Sequence, residues 1–481
     1  MPALDLAASP ARDRAPFRRP WLVELRATLA LSGPLVLINL AQHGLIMADV
    51  VMLGRLGAEA LAAATLAHGL YFILFIGGIG LTSAVAPLIA EALGRDPGDT
   101  EAARRTLRAG LWAATLVCGP VMLLLWFTGP LLAALGEPPA LAEAAGRYMR
   151  VLQWAMWPAL LFMALRGALA ALERPAWALA ASLAALPLNV ALGLWLAFEA
   201  GLGMVGIGCA TLVSSVFSLA VLVLVVLRDP GLRRHRLFHG LWRFDPARLG
   251  AVVRLGLPMV ATGLAEAGLF EAAALAMGLF GASQLAAHAV AIQIAAFCFM
   301  VPNGIAQAAT VRVGLAFGRR DAAGVRRAGA VALGLGLSFM SLCALTQLSV
   351  PEPLIGLFLD LRDPANGAVL PVAVVFIGFA ALFAVADGVQ SVALGMLRGL
   401  QDTKVPMLIA VGGYWGLGVP VGAGLAWGLG FEGAGIWIGF CAGLFVVAAL
   451  LVARWRRLVR AGPARPTGLG ARRPTVSIST P

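Results

Sequence analysis

Charge is scarce in this chain: 12% of its 481 residues are Asp, Glu, Lys or Arg, whereas 60% are hydrophobic. Soluble domains carry about 25% charged and about 45–50% apolar residues. No soluble fold of this length hides so much apolar surface, so the composition places the chain in lipid. Lysine is almost missing, Lys404 being the only one. A phosphate-binding loop needs a Gly-Lys pair, so a self-contained ATP-driven pump is excluded. Lys404 also follows the tenth apolar run, which argues against a retinal Schiff base inside the membrane. Cysteine is sparse: Cys118, Cys209, Cys298, Cys343 and Cys441 sit singly in apolar stretches, at no metal-ligand spacing, and read as packing residues. There is no His/Glu pair at helical metal spacing and no Gly-x-Ser-x-Gly elbow, so an intramembrane enzyme is not expected. The first 20 residues lack a short apolar core with a cleavage site, and no cleaved signal peptide is expected.

What is present is a series of apolar runs of about 20 residues or more, without period-two alternation. In lipid every backbone polar group must be bonded internally, so these runs are helices. Hydropathy predicts twelve: 25–53, 60–92, 108–130, 144–172, 176–199, 204–227, 249–279, 284–317, 328–350, 369–397, 405–428 and 433–455. The expected fold class is an all-α membrane protein. The net charge of +12 follows its topology. With the N-terminus in the cytoplasm, only Arg55, Arg147, Arg150 and Arg362, 4 of the 36 basic residues, fall outside. That asymmetry predicts both termini inside, with attraction to anionic lipid rather than to nucleic acid.

The chain also repeats itself. Residues 31–95 fall on 255–319 at an offset of 224 without a gap, with 21 identities in 65 positions. Pro34 meets Pro258, Gly57 meets Gly281, and Gly94-Arg95 meets Gly318-Arg319. This is an internal duplication. It predicts two pseudo-symmetric six-helix lobes, 21–227 and 249–456, joined by a basic linker at 228–248. Residues 1–20 and the basic tail 457–481 are expected to be disordered. Six helices per lobe insert both copies the same way up, about an axis along the membrane normal.

Carboxylates inside spans are few: Asp49, Glu266, Glu271 and Asp387, with Glu91 near the inner end of the second helix. An ionised carboxylate at the bilayer centre costs about 2.5–3.5 kcal/mol or more. It persists where it faces a cavity, meets a cation or takes a proton, each of which suits a site that binds and releases Na⁺ or H⁺. Asp49 lies two turns beyond Gln42, on the same face and about 10 Å away. The repeat sets Glu266 at the Gln42 position and Ala273 at the Asp49 position, so the lobes carry acids at different depths. Glu271, five residues from Glu266, cannot share its face. Glu266 and Asp387 would form a two-carboxylate cation site if the seventh and tenth helices touch. Gln42, Asn189, Glu271, His288, Gln293 and Gln390 are candidate cavity-lining residues. No metal site is expected beyond Na⁺ at Glu266 and Asp387. Arg166, inside the fourth helix, should pair with an acid or snorkel.

At these residues the sequence resembles the multidrug and toxic compound extrusion (MATE) family, in its NorM-like branch. The likeness spans about residues 25–456. It rests on Ala48-Asp49-Val50-Val51-Met52-Leu53-Gly54, Leu257-Pro258 followed by Glu266, Leu285-Ala286-Ala287-His288 and Arg312-Val313-Gly314. It rests above all on Asp387-Gly388-Val389-Gln390 leading into Leu397-Arg398-Gly399-Leu400-Gln401-Asp402-Thr403 and Pro406. The resemblance implies a two-lobe antiporter that exports organic, often cationic, compounds from a central cavity, driven by Na⁺ or H⁺ and needing no cofactor. Glu266 and Asp387 match the family's second-lobe cation site, and Asp49 matches its first-helix acid linked to protonation and release. Val50, Ala289 and Val190 stand where the family commonly has Thr, Gln and Tyr. The expected setting is a bacterial inner membrane, with lipid and small organic substrates as partners and one chain acting alone. A lipid-linked precursor flippase shares the architecture but would want a more basic cavity. An ion channel would not need duplicated lobes with unequal acids.

Overall fold

The computed structural model describes residues 19–461. Twelve helices among them are long and apolar enough to cross a membrane, and no strand occurs among the described residues. We label the spans α1 (Pro20–Leu56), α2 (Ala58–Arg95), α3 (Thr100–Trp126), α4 (Pro139–Ala171), α5 (Ala176–Glu199) and α6 (Gly203–Arg228). The second set is α7 (Pro246–Leu279), α8 (Ala282–Gly318), α9 (Ala322–Ser349), α10 (Val369–Gly399), α11 (Lys404–Gly428) and α12 (Glu432–Arg460). The expectation of disorder for 1–20 and 457–481 falls mostly on 1–18 and 462–481, outside the described residues. Where it overlaps them, at 19–20 and 457–460, the chain is helical.

Local chemistry sets the helix ends. Gly57 and Gly281, matched by the repeat, turn α1 into α2 and α7 into α8 at φ 123° and 113°. Residues with a Cβ rarely adopt that conformation, which is why both copies keep glycine. Asp99, Asp245 and Asp321 cap α3, α7 and α9, accepting from the amides of Ala102, Arg248 and Gly324 at 2.9, 3.1 and 2.8 Å. Burial alone would raise the Asp245 carboxyl. The Arg105 side chain and the Arg248 amide outweigh it and hold that group below its ordinary value. Two segments of α11, Gly412–Gly418 and Gly424–Gly428, and the end of α5, Trp195–Glu199, wind as wider π-type turns, a distortion frequent at functional sites.

Within the first half, α1 packs on α5, α5 on α6, and α4 on α3 and α6. Within the second, α10 packs on α8, α9 and α12, and α11 lies on α7 and α12. The halves meet through α1 with α8, α2 with α7 and α8, and α3 with α7. These contacts keep the repeat's symmetry. A methyl at Gly94 would overlap the carbonyl of Leu315, and one at Gly318 the carbonyl of Glu91. Likewise Gly80 lies against the backbone of Val260, and Gly304 against that of Val36. Every residue in these two pairs of contacts is related to its counterpart by 224 positions. Small residues let the helix backbones touch. The halves thus pack backbone to backbone at the end that carries residues 19 and 461.

Ion pairs fasten the same end. Arg312 of α8 grips Glu24 of α1 with two hydrogen bonds of 2.8 Å and donates to Glu173, beyond α4, at 2.6 Å. Gln401 donates across to Glu91, which also pairs with Arg95. The segment between α6 and α7 is strapped onto α3. Arg108 donates to the Gly240 carbonyl at 2.9 Å, Trp112 to that of Leu241 at 3.1 Å, and Arg105 pairs with Asp245 at 2.7 Å.

Candidate ion-coupling sites

The site in the first half is built by α1, α5 and α6. Asp49 is 4% exposed in α1. The Thr211 hydroxyl of α6 donates to its Oδ2 at 2.8 Å, and Asn189 of α5 donates to Thr211 at 3.5 Å. Pro187, two residues before Asn189, lies within α5. Asp49 Oδ1 and Asn189 Oδ1 are buried and receive no hydrogen bond. Two acceptor oxygens without donors leave room for a proton or a cation and none for an anion. Tyr148 of α4 lies within electrostatic reach of Asp49, and its hydroxyl meets His68 Nε2 at 3.1 Å.

The site in the second half is built by α7, α10 and α11. Phe270 of α7 and Phe383 of α10 meet edge to face with centroids 6.0 Å apart, so these helices do touch. One turn along α7 and on α10, Glu266 and Asp387 lie within electrostatic reach of each other. Tyr414, carried by the first widened segment of α11, lies against Gln390 and within reach of both carboxylates. Asp387 Oδ1, Gln390 Oε1 and the Tyr414 hydroxyl are buried without a partner. Arg398, at the end of α10, is the nearby cation and acts on Glu266 from the side of the termini. Carboxylate, amide and phenol oxygens are hard donors of the kind alkali and alkaline-earth cations prefer, so these residues fit Na⁺. Two carboxylates fit a shared proton equally well.

The remaining candidates separate. Gln42 accepts from Arg166 at 3.3 Å, and Arg166 also donates to Gln307 of α8 at 3.0 Å. Gln307 donates in turn to Asn39 and Asn303. Arg166 therefore neither pairs with an acid nor snorkels: amide oxygens on both halves satisfy it where the halves meet. His288 is buried edge-on against Trp437 at 5.6 Å. Glu271 and Gln293 are exposed and join neither cluster. The acids and Asn189 stand out in the sequence as polar residues in apolar runs. Thr211, Tyr148 and Tyr414 were missed. A usable signal existed: the chain has 3 tyrosines, and two of them, both buried, stand beside the two acidic sites.

Comparison with known proteins follows the same division. The MatE family model matches twice, at residues 34–195 and 258–423, each starting at one of the paired prolines. The chain is 49% identical to a probable multidrug resistance protein NorM of Mesorhizobium japonicum, over 95% of this chain and 99% of that one. It is 44% identical to the protein of the same name in Brucella suis, over 92% and 96%. Among solved structures it superposes on the Vibrio cholerae MATE transporter VcmN in the bent form with TM-score 0.83 at 18% identity, covering 92% and 98%. It superposes on the eukaryotic MATE transporter AtDTX14 with TM-score 0.82 at 22% identity, over 92% and 98%. A family model covering both halves, near-complete relatives and a shared twelve-helix fold agree: this chain belongs to the MatE family.

Proposed function

We propose that the protein is a secondary active multidrug efflux antiporter of the bacterial inner membrane, exchanging organic, often cationic, compounds for Na⁺ or H⁺ by alternating access. The observation that carries this reading is the cluster of Glu266, Asp387, Gln390 and Tyr414, where buried oxygens lack donors. The NorM relatives, named as probable multidrug resistance proteins, support the substrate class. Residues 21–227 and 249–456 are the two moving bodies on this reading, and 228–248 is the strap between them at the cytoplasmic end. Glu266 and Asp387 take the coupling ion. Asp49 takes a proton, losing its need for the Thr211 hydrogen bond and so rearranging α1, α5 and α6. Closure at the terminus-bearing end corresponds to the outward-facing state, in which ion enters and compound leaves. Each net charge moving inward across 100 mV supplies about 2.3 kcal/mol, so exchange of one such ion for a neutral compound sustains roughly fiftyfold uphill export. The test is uptake of a fluorescent organic cation into everted vesicles, with Na⁺ and pH gradients imposed separately. One of the two gradients should drive uptake, and indifference to both would overturn the antiporter reading.

A further inference from the structure

A recess lies between α10 and α12. It has a volume of about 560 Å³, within the range of roughly 300–1,000 Å³ typical of small-molecule sites. Its walls are apolar, with Val389 of α10 on one side and Phe445 and Ala453 of α12 on the other. Arg456, Arg457 and Arg460 close its lower end. The core-facing residues of α12 are Leu444, Val447, Leu451 and Trp455, all buried. At 100° per residue, Phe445, Ala453 and Arg456 fall on the far side of that helix. Val389 likewise stands 200° round α10 from Asp387. The recess therefore opens to the bilayer and not to the ion cluster.

Among the described residues these arginines have no counter-charge. Arg454, in the same two turns, pairs with Asp402 at 2.9 Å. Arg456, Arg457 and Arg460 are exposed and form no ion pair among the described residues. From Phe445 to Arg460 the helix rises about 22 Å, more than the roughly 15 Å depth of one leaflet's hydrocarbon. An apolar slot of leaflet depth ending in three unpaired guanidinium groups matches a lipid tail below an anionic headgroup. Basic pockets between membrane helices bind such headgroups, and guanidinium forks suit phosphate. The chain that follows cannot fill the slot by charge, since residues 462–481 carry Arg465, Arg472 and Arg473 and no acidic side chain.

We infer that this recess is a binding site for an anionic phospholipid, its phosphate on Arg456, Arg457 and Arg460 and one acyl chain between α10 and α12. The inference is independent of the transport reading. Its test is native mass spectrometry of the full chain released from mixed phosphatidylglycerol and phosphatidylcholine nanodiscs. The wild type should retain phosphatidylglycerol about tenfold over phosphatidylcholine. A triple Arg456→Gln, Arg457→Gln, Arg460→Gln variant should lose that preference. Ala453→Trp keeps every charge but fills the slot, and should lose it too. Both sets of positions face lipid, and a monodisperse elution profile checks folding. Equal retention of the two lipids by the wild type would overturn the site. So would a preference surviving in the triple variant. A preference surviving in Ala453→Trp would reduce it to unspecific surface charge.

Discussion

The two halves share a backbone frame and differ in what they do with it. In the first, one carboxylate, Asp49, holds a hydroxyl donor on one oxygen and leaves the other bare. In the second, Glu266 and Asp387 stand together with an amide and a phenol whose oxygens are unpaired. Two carboxylates in one low-dielectric place repel unless a cation or a proton lies between them. A single acid with a hydroxyl donor tolerates being empty. Duplication thus supplied a symmetric crossing, seen in the Gly94–Leu315 and Gly318–Glu91 contacts, and divergence made the acidic clusters unequal. On the proposed function, the second half demands an ion and the first responds to one.

Breaking the demanding site has the largest expected effect. Glu266→Gln and Asp387→Asn should each cut gradient-driven uptake into everted vesicles at least tenfold, while binding of the exported compound to purified protein persists. Second comes the fastening of the closed end. Arg312→Ala strands Glu24, which is buried, and removing one partner of a buried pair costs about 3–5 kcal/mol. Maleimide labelling of cysteines introduced along α8 near Gly318 should become at least severalfold faster, reporting an end that now opens. Third, Gly94→Ala and Gly318→Ala should speed the same labelling to a similar degree, because each drives a methyl into the same symmetric crossing. Clearly unequal effects would show that the crossing has diverged along with the sites. The smallest change is Thr211→Ala, which removes one hydrogen bond to a carboxylate, about 1.5–3 kcal/mol at most. It should lower efflux a few fold and leave ion binding at Glu266 untouched.

Much of this was legible in the chain itself. The duplication placed Gly57 on Gly281, and both form the same left-handed turn. The twelve apolar runs match the twelve spans, with α1, α3, α4, α9 and α12 each running several residues further than hydropathy alone suggests. Residues 20–24, 100–107, 139–143, 322–327 and 456–460 extend helices beyond the expected run, where backbone hydrogen bonding continues past the apolar stretch. The acids were visible because each is an ionisable residue in an apolar span. Their partners were not. Thr211 is 162 positions from Asp49, and a threonine in an apolar helix ordinarily bonds the carbonyl four residues back, as Thr211 also does. Arg312 joins Glu24 and Glu173 across 288 and 139 positions, a pairing that only the packing of the halves creates. Arg166 was expected to pair with an acid or snorkel and instead found amides on both halves, because the helix face opposite it presents Gln307 rather than a carboxylate.

The most direct test is coupling-ion binding to the purified protein, read as radiosodium bound or as protons released on addition of the exported compound. A sodium signal should vanish in Glu266→Gln and survive in Asp49→Asn, and a proton signal should fall further in Glu266→Gln than in Asp49→Asn. A signal retained by Glu266→Gln, or lost equally in both, would contradict the division of labour between the halves.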